Sequence, residues 1–433
     1  MQRFIALPTS GDAFLLQRGN VTVLVDSGFK KDNLAKLLSK HVPELNRINI
    51  AVCTHADRDH AGGFTTLLDQ WKPTGNEVCA PIDQLWLPGS WAGIVSQLFL
   101  EARKFSDILL KEMEEFDARH QDLNSPEDIE VILREVDESV DRRFGDLWPD
   151  EGYFDEDLDS FDELDIDAEE LNGFSEPEWM GEIRNRATEI IENEAGAVRA
   201  IQSVKRRVGY RVRRGHVSKA VGRYWLGLID TADIIRQIAF SAIKHHVKIR
   251  WFDFGEFEKN GRPQGGIRGL LRPVNAVEQI QPPSVVAFSH LLRLTTQNKQ
   301  CLSFYSPGSY SRSGILFCGD SPMGYGSGYV QPFRLPRMAS IHPVIVTAPH
   351  HGAESNAIAY HHIQRWMALE RIFWVRSGGK SNHPGSTFRN LPVEYRSCTW
   401  CPHKNLSRSS VEIIQRQWYW YPTIMHIGHR CLC

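Results

Sequence analysis

The chain has 433 residues, 42% of them hydrophobic, and a formal net charge of -3. That length can bury one large core or two ordinary ones, and the near-neutral charge leaves any nucleic-acid case to rest on local clusters. The opening "MQRFIALPTSGDAFLL" has no basic stretch ahead of an apolar one, and no window approaches the length of apolar chain that crosses a bilayer. Neither a secretory signal nor a membrane span is expected. Eight cysteines in such a chain point to reduced thiols or metal ligands rather than a disulfide framework. The expectation is a soluble, cytoplasmic protein without a membrane partner.

The first sixty residues alternate strand and turn signals. "FIALP" and "DAFLLQR" flank a Ser-Gly turn, "NVTVLVDSG" is a β-branched run ending at Gly28, and "DNLAKLLSKHV" sets Leu34, Leu37 and Leu38 at helical spacing. "INIAVCTH" is a continuous apolar run of the kind buried on both faces of a sheet. The order β-β-β-α-β results. From about Glu101 to Lys244 the pattern turns helical and polar. Residues 151–170 hold eleven acids and no base, which suits a solvated loop, while residues 199–223 hold nine Lys or Arg. That basic run reads either as an exposed helix face paired to the acidic segment or as a nucleic-acid patch. The strand signals resume at "HVKIRWFDFGEF" and continue through "PPSVVAFSHLLRLT", "KQCLSFYSPGS", "SGILFCGDS", "HPVIVTAPHHG" and "ERIFWVRSGG", with a helical "AIAYHHIQRWMALE" between the last two. The chain is read as an α/β protein, divided into a first half-core (1–100), a helical, charged insertion (101–246), a second half-core (247–392) and a small C-terminal extension (393–433).

Polar residues gather where these apolar runs end. "THADRDHAGG" holds His55, Asp57, Asp59 and His60; Asp320 ends "ILFCGD"; His350 and His351 sit in "APHHGAESN"; His383 sits in "SNHPGS". Two divalent ions a few ångströms apart need several imidazoles and carboxylates and one carboxylate able to bridge, a role that suits Asp320. If the strands lie side by side, these loops meet on one rim.

The sequence resembles the metallo-β-lactamase superfamily. "THADRDHAGG" is similar to its T-H-x-H-x-D-H-x-G-G motif, "FCGDS" to its later Gly-Asp motif, and "GDAFLLQRGNVTVLVDSG" to its N-terminal strand pair. The likeness is nearer still to the ComEC-type hydrolase domain of DNA-uptake proteins, with H-x-D-x-D-H, Gly-Asp, Pro-His-His-Gly and His-Pro in the same order. It spans roughly residues 1–65 and 247–390. The resemblance implies an αββα sandwich carrying the insertion and the extension, and hydrolysis with a metal-activated water at a two-metal site. Carried over by position, His55 and Asp57 hold one ion, Asp59 and His60 the other, Asp320 bridges, and one of His350 and His351, taken as His350, completes the second shell. Asp59 orients the water; His351 or His383 protonates the leaving group. Ser355, Asn356 and Lys380 read equally as substrate contacts or as loop caps. A further ligand histidine of the wider superfamily has no evident counterpart; His290 is a weak candidate for it and reads more readily as an ordinary strand residue. With Asp57 in place of a histidine the site is oxygen-rich, which moves its preference from zinc towards manganese or magnesium.

The tail adds "SCTWCPH" and "HIGHRCLC", so that Cys398, Cys401, Cys431 and Cys433 are candidates for a structural zinc, with four unconnected thiols as the alternative. The functional expectation is a phosphodiesterase or nuclease with nucleic acid as substrate. The alternatives are a hydrolase of a small molecule (cyclic nucleotide, lactone or thioester) and a non-catalytic component that binds a protein partner through the charged insertion.

Overall fold

The computed structural model describes residues 1–72, 82–100, 102–119, 171, 173–281, 300–309, 312–335, 343–379, 382–401, 408–418, 421–427 and 431–433. The acidic run 151–170, the segment around His290, Cys79, Lys380 and His403 lie outside them.

The chain opens with three antiparallel strands, β1 (Gln2–Ala6), β2 (Phe14–Arg18) and β3 (Val21–Val25). Helix α1 (Leu34–His41) then carries the chain over to β4 (Ile48–Val52), which pairs parallel with β3. Two short helices follow, α2 (Arg58–Ala61) and α3 (Phe64–Gln70), and then β5 (Ile82–Pro88), parallel to β4. Helix α4 (Ala92–Leu100) follows, and residues 101–246, expected as an insertion, supply α5 (Ala102–Arg119), α6 (Glu178–Asn185), α7 (Ala187–Arg213) and α8 (Lys219–Lys244) before β6 (Lys248–Asp253) joins β5.

After helix α9 (Phe254–Asn260), the chain forms β7 (Arg272–Pro273), β8 (Val277–Glu278), β9 (Phe304–Ser306) and β10 (Ile315–Phe317). A small ribbon, β11 (Gly324–Tyr325) with β12 (Gln331–Pro332), precedes β13 (Val344–Thr347), α10 (Ala357–Trp366), β14 (Ile372–Arg376) and α11 (Ser386–Arg389). The chain closes with β15 (Arg396–Cys398), β16 (Val411–Trp418) and β17 (Tyr421–Ile427). Among the described residues one sheet runs β17-β16-β1-β2-β3-β4-β5-β6-β8 and a second runs β15-β14-β13-β10-β9-β7. The C-terminal extension is therefore shared out: β15 extends the second sheet, and β16 pairs with β1 through Gln2 and Gln415.

Side-chain alternation explains the layering, since successive residues of a strand face opposite ways. Val23 and Val25 of β3 join Phe4, Phe14, Ile50, Trp86, Phe304, Phe317 and Ile345 in a core between the two sheets. Leu24 and its counterparts Ile5, Leu15, Ala51 and Leu85 face the other way, into a core with α1, α3, α4, α5 and α6 to α8. On the far side of the second sheet, Leu316, Val346 and Trp374 pack with Tyr360 and Ile363 of α10 and Phe257 of α9. The order helices–sheet–sheet–helices is the αββα sandwich. The insertion helices share the outer core of the first sheet: Trp225, Leu228 and Ile235 of α8 lie in one apolar cluster with Leu67 and Trp91.

The strands β4, β10, β13 and β14 all end at the same edge, where open α/β sheets gather ligands. Their exits carry, in turn, His55 to His60, Asp320, His350 with His351, and the Gly378-Gly379 turn.

Candidate metal centre

Asp320 is the centre of the cluster. Its Oδ1 lies 3.0 Å from His60 Nε2, and its Oδ2 lies 3.7 Å from His55 Nε2 and 3.5 Å from His350 Nε2. Asp57 Oδ2 faces His55 Nε2 at 3.7 Å. On the other side, Asp59 Oδ2 is 3.2 Å from His351 Nε2. Two sets emerge: His55, Asp57 and His350 against one oxygen of Asp320, and His60, Asp59 and His351 towards the other. The groups His55, Asp57, Asp320 and Asp12, His60, Asp320, His351 each place their donor atoms within 4.8 Å of one another.

The donor set fits metal ions. Nε2 of His55 and of His60 are buried and face carboxylates, Asp57 and Asp320, an arrangement that a divalent ion taking the lone pairs would satisfy. The opposite ring nitrogens are held. His60 Nδ1 meets Asp26 at 2.8 Å, His351 Nδ1 meets Asp12 at 3.0 Å, and His55 Nδ1 meets the Thr54 hydroxyl at 3.0 Å and the Cys301 thiol at 3.4 Å. A carboxylate on the rear nitrogen fixes the tautomer that leaves Nε2 open to a metal. Asp12 stands on the rear nitrogen of His351, so it orients that ring.

The electrostatics agree. Burial by itself would lower His60, yet Asp320 and Asp26 hold it well above the usual imidazole range. Burial opposes protonation of His351 too, but Asp12 and Asp59 push it up to about 10. Burial would raise Asp320, and His60 and His55 draw it well below the carboxylate range. Without a cation the carboxylates recruit protons onto the rings; a divalent ion would take their place. His350 differs: burial lowers it, so its ring is neutral and ready to coordinate.

Local backbone sets these directions. His350 (φ 49, ψ 49) and His351 (φ 54, ψ 21) are consecutive left-handed residues, a conformation that non-glycine residues adopt at a cost and that recurs at functional sites. This turn sends His350 to the His55 side and His351 to the Asp59 side. The sequence left open which of the two joins the second ion and took His350; the distances set His350 beside Asp320 Oδ2 and His351 beside Asp59. Asn356 Nδ2 donates to the carbonyls of Asp320 (3.2 Å) and Ser321 (3.0 Å), bracing the loop beneath Asp320 in the manner of the loop-cap reading. Ser355 is exposed. His383 stays on the rim, its ring 5.9 Å from that of His350 and 6.2 Å from that of His351.

Gly11 approaches the motif so closely that a Cβ there would overlap the Asp59 carbonyl, and the Asp12 amide donates to that same oxygen at 2.9 Å. Asp12 and Asp26 were given no role in the sequence reading, although both lie in its quoted strand pair. The signal available was an acid at the hairpin turn and another directly after β3.

Fold and site together place two sets of metal-capable donors at one edge of an αββα sandwich. Residues 6–174 match the model of the Metallo-beta-lactamase superfamily, a span that includes Asp12, Asp26 and the His55–His60 motif and stops short of Asp320. No curated protein matches the chain. Among the described residues no helix is long and apolar enough to cross a membrane.

Proposed function

We propose that this chain is a metal-dependent phosphodiesterase that cleaves nucleic acid, of the ComEC-like type. The observation that carries the reading is the two-sided Asp320, with Asp57 making one set oxygen-rich, a donor chemistry suited to manganese or magnesium as well as zinc. Two divalent ions bound there would supply Lewis-acid activation of the phosphoryl group and a nucleophile from water. His55, Asp57 and His350 would hold one, His60, Asp59 and His351 the other, with Asp320 between them. Asp12 and Asp26 keep the His351 and His60 rings aimed. His383, half-exposed on the rim, is positioned to pass a proton from its ring to the leaving oxygen.

A groove between α5 and α7, lined by Arg103, Lys111, Arg199, Arg206 and Arg207 with Asp107, Glu189 and Glu194 among them, has an excess of basic residues that supports a polyanionic substrate. Part of the basic run is neutralised internally, as Lys205 pairs with Asp230 and Asp233 and Arg211 with Asp117. A second reading, a small-molecule hydrolase, draws on a different contact: Arg58, inside the motif, pairs with Asp230 of α8, so the insertion stands beside the site like a wall. The deciding experiment is cleavage of labelled single- and double-stranded DNA and RNA with manganese, magnesium or zinc, beside an Asp59→Ala/His60→Ala control. Metal-dependent cutting absent from the control supports the nuclease; no cutting by a protein that binds two ions moves the assignment to a small substrate.

A further inference from the structure

We propose that Cys398, Cys401, Cys431 and Cys433 bind a structural zinc ion, and that this site holds Arg376 against the backbone of His351.

The four sulfurs lie within 4.8 Å of one another. Cys401 Sγ is 3.2 Å from Cys433 Sγ and 4.0 Å from Cys431 Sγ. A disulfide needs about 2.05 Å, whereas four thiolates at zinc–sulfur distances of about 2.3 Å stand roughly 3.8 Å apart at tetrahedral corners. The observed separations straddle the second value. Backbone amides also point at the sulfurs: Cys401 N donates to Cys398 Sγ at 3.2 Å, and Leu432 N to Cys401 Sγ at 3.4 Å. Such donors favour the thiolate over the thiol.

A second observation points to buried negative charge. Arg376 and Arg396 are 1% and 4% exposed, and neither pairs with a carboxylate among the described residues. An uncompensated buried guanidinium is costly. Both stand at the cysteines: Arg376 Nη1 is 4.0 Å from Cys433 Sγ, Arg396 Nη2 donates to Cys433 O at 3.4 Å, and Arg396 O accepts from Cys431 N at 3.1 Å. Four thiolates around one divalent cation carry two net negative charges, which two guanidinium groups balance.

Arg376 then links the two metal sites. Its Nε donates to His351 O at 2.7 Å and its Nη2 to Gly378 O at 3.1 Å. These bonds hold the left-handed His351 from behind and tie it to the turn after β14. The thiolate site, one strand away on β15, fixes Arg376 from the other side. Only this bracing half rests on His351 facing a metal ion; the zinc half stands without it.

The test uses the full chain and reads metal binding rather than cleavage. In Asp59→Ala/His60→Ala, which keeps the His55, Asp57 and His350 set, a mercurial should release one zinc per chain as four thiols react, separate from any ion that set retains. Cobalt substituted into that variant should show the intense visible bands of tetrahedral thiolate coordination. Cys398→Ser/Cys401→Ser should lose this ion. No zinc released from the first variant, or two disulfides in its alkylated mass spectrum, overturns the zinc site even if the serine variant does not fold. For the brace, releasing the thiolate zinc from the wild-type chain should weaken manganese binding at the Asp-His cluster at least about 10-fold, the scale of an outer-shell loss. Unchanged manganese affinity overturns the brace and leaves the zinc intact.

Discussion

Asp320 Oδ1 stands 3.0 Å from His60 Nε2, and its other oxygen is turned away towards His55 Nε2 at 3.7 Å. One buried carboxylate therefore serves both donor sets. Asp320→Asn keeps the shape and removes the charge. Metal analysis should show fewer than two ions at the cluster, with hydrolytic activity lowered by more than about 100-fold, beyond what outer-shell losses produce. An asparagine variant that keeps both ions and full activity would exclude the bridging role.

Asp12 acts on the centre through His351. Asp12→Asn should leave the fold intact and weaken metal binding by about 10- to 100-fold. Chelator competition measures this directly. A comparable loss is expected for Asp26→Asn, through His60 Nδ1.

Metal uptake should depend on pH in a defined direction. His351 is held up to about 10 and His60 is raised by its carboxylate neighbours, so the ion-free cluster favours protonated rings. An ion binds only the deprotonated Nε2, so affinity rises as pH rises towards the raised values and protons are released on binding. Calorimetry of manganese binding in buffers of different ionisation enthalpy counts those protons. A count of zero at neutral pH would contradict the carboxylate-held rings.

Gly11 has no room for a side chain because the Asp59 carbonyl fills the space. Gly11→Ala should push the hairpin off the motif and displace Asp12, whose amide shares that carbonyl. The expected cost is about 1–3 kcal/mol of stability, as for other overpacked sites, with a larger loss in metal affinity than the instability explains. Denaturant unfolding and metal titration on the same variant separate the two effects.

Much of this was legible in the chain. The apolar runs of β3, β4, β10, β13 and β14, the helical leucines of α1 and the clusters at the strand exits follow from local pattern, because alternation and turn chemistry are properties of neighbouring residues. The same exits hold His55, Asp57, His60 and Asp320, which the fold gathers into groups able to hold a metal ion. The opposite aims of His350 and His351 were not legible: they depend on two left-handed backbone conformations that surrounding contacts, among them Arg376, hold in place. Asp12 became significant only once β1 and β2 brought it behind His351, more than three hundred residues away in sequence. Asn356 read equally as a substrate contact or a loop cap, and only the folded turn shows its two donated bonds going to the backbone beneath Asp320. The four cysteines could be named from spacing, but the two buried arginines beside them could not, since long-range charge compensation leaves no periodic trace. Local sequence determined which side chains end each strand; the stacking of two sheets decided which of their atoms face one another, because that geometry is set by the packed core and not by any segment alone.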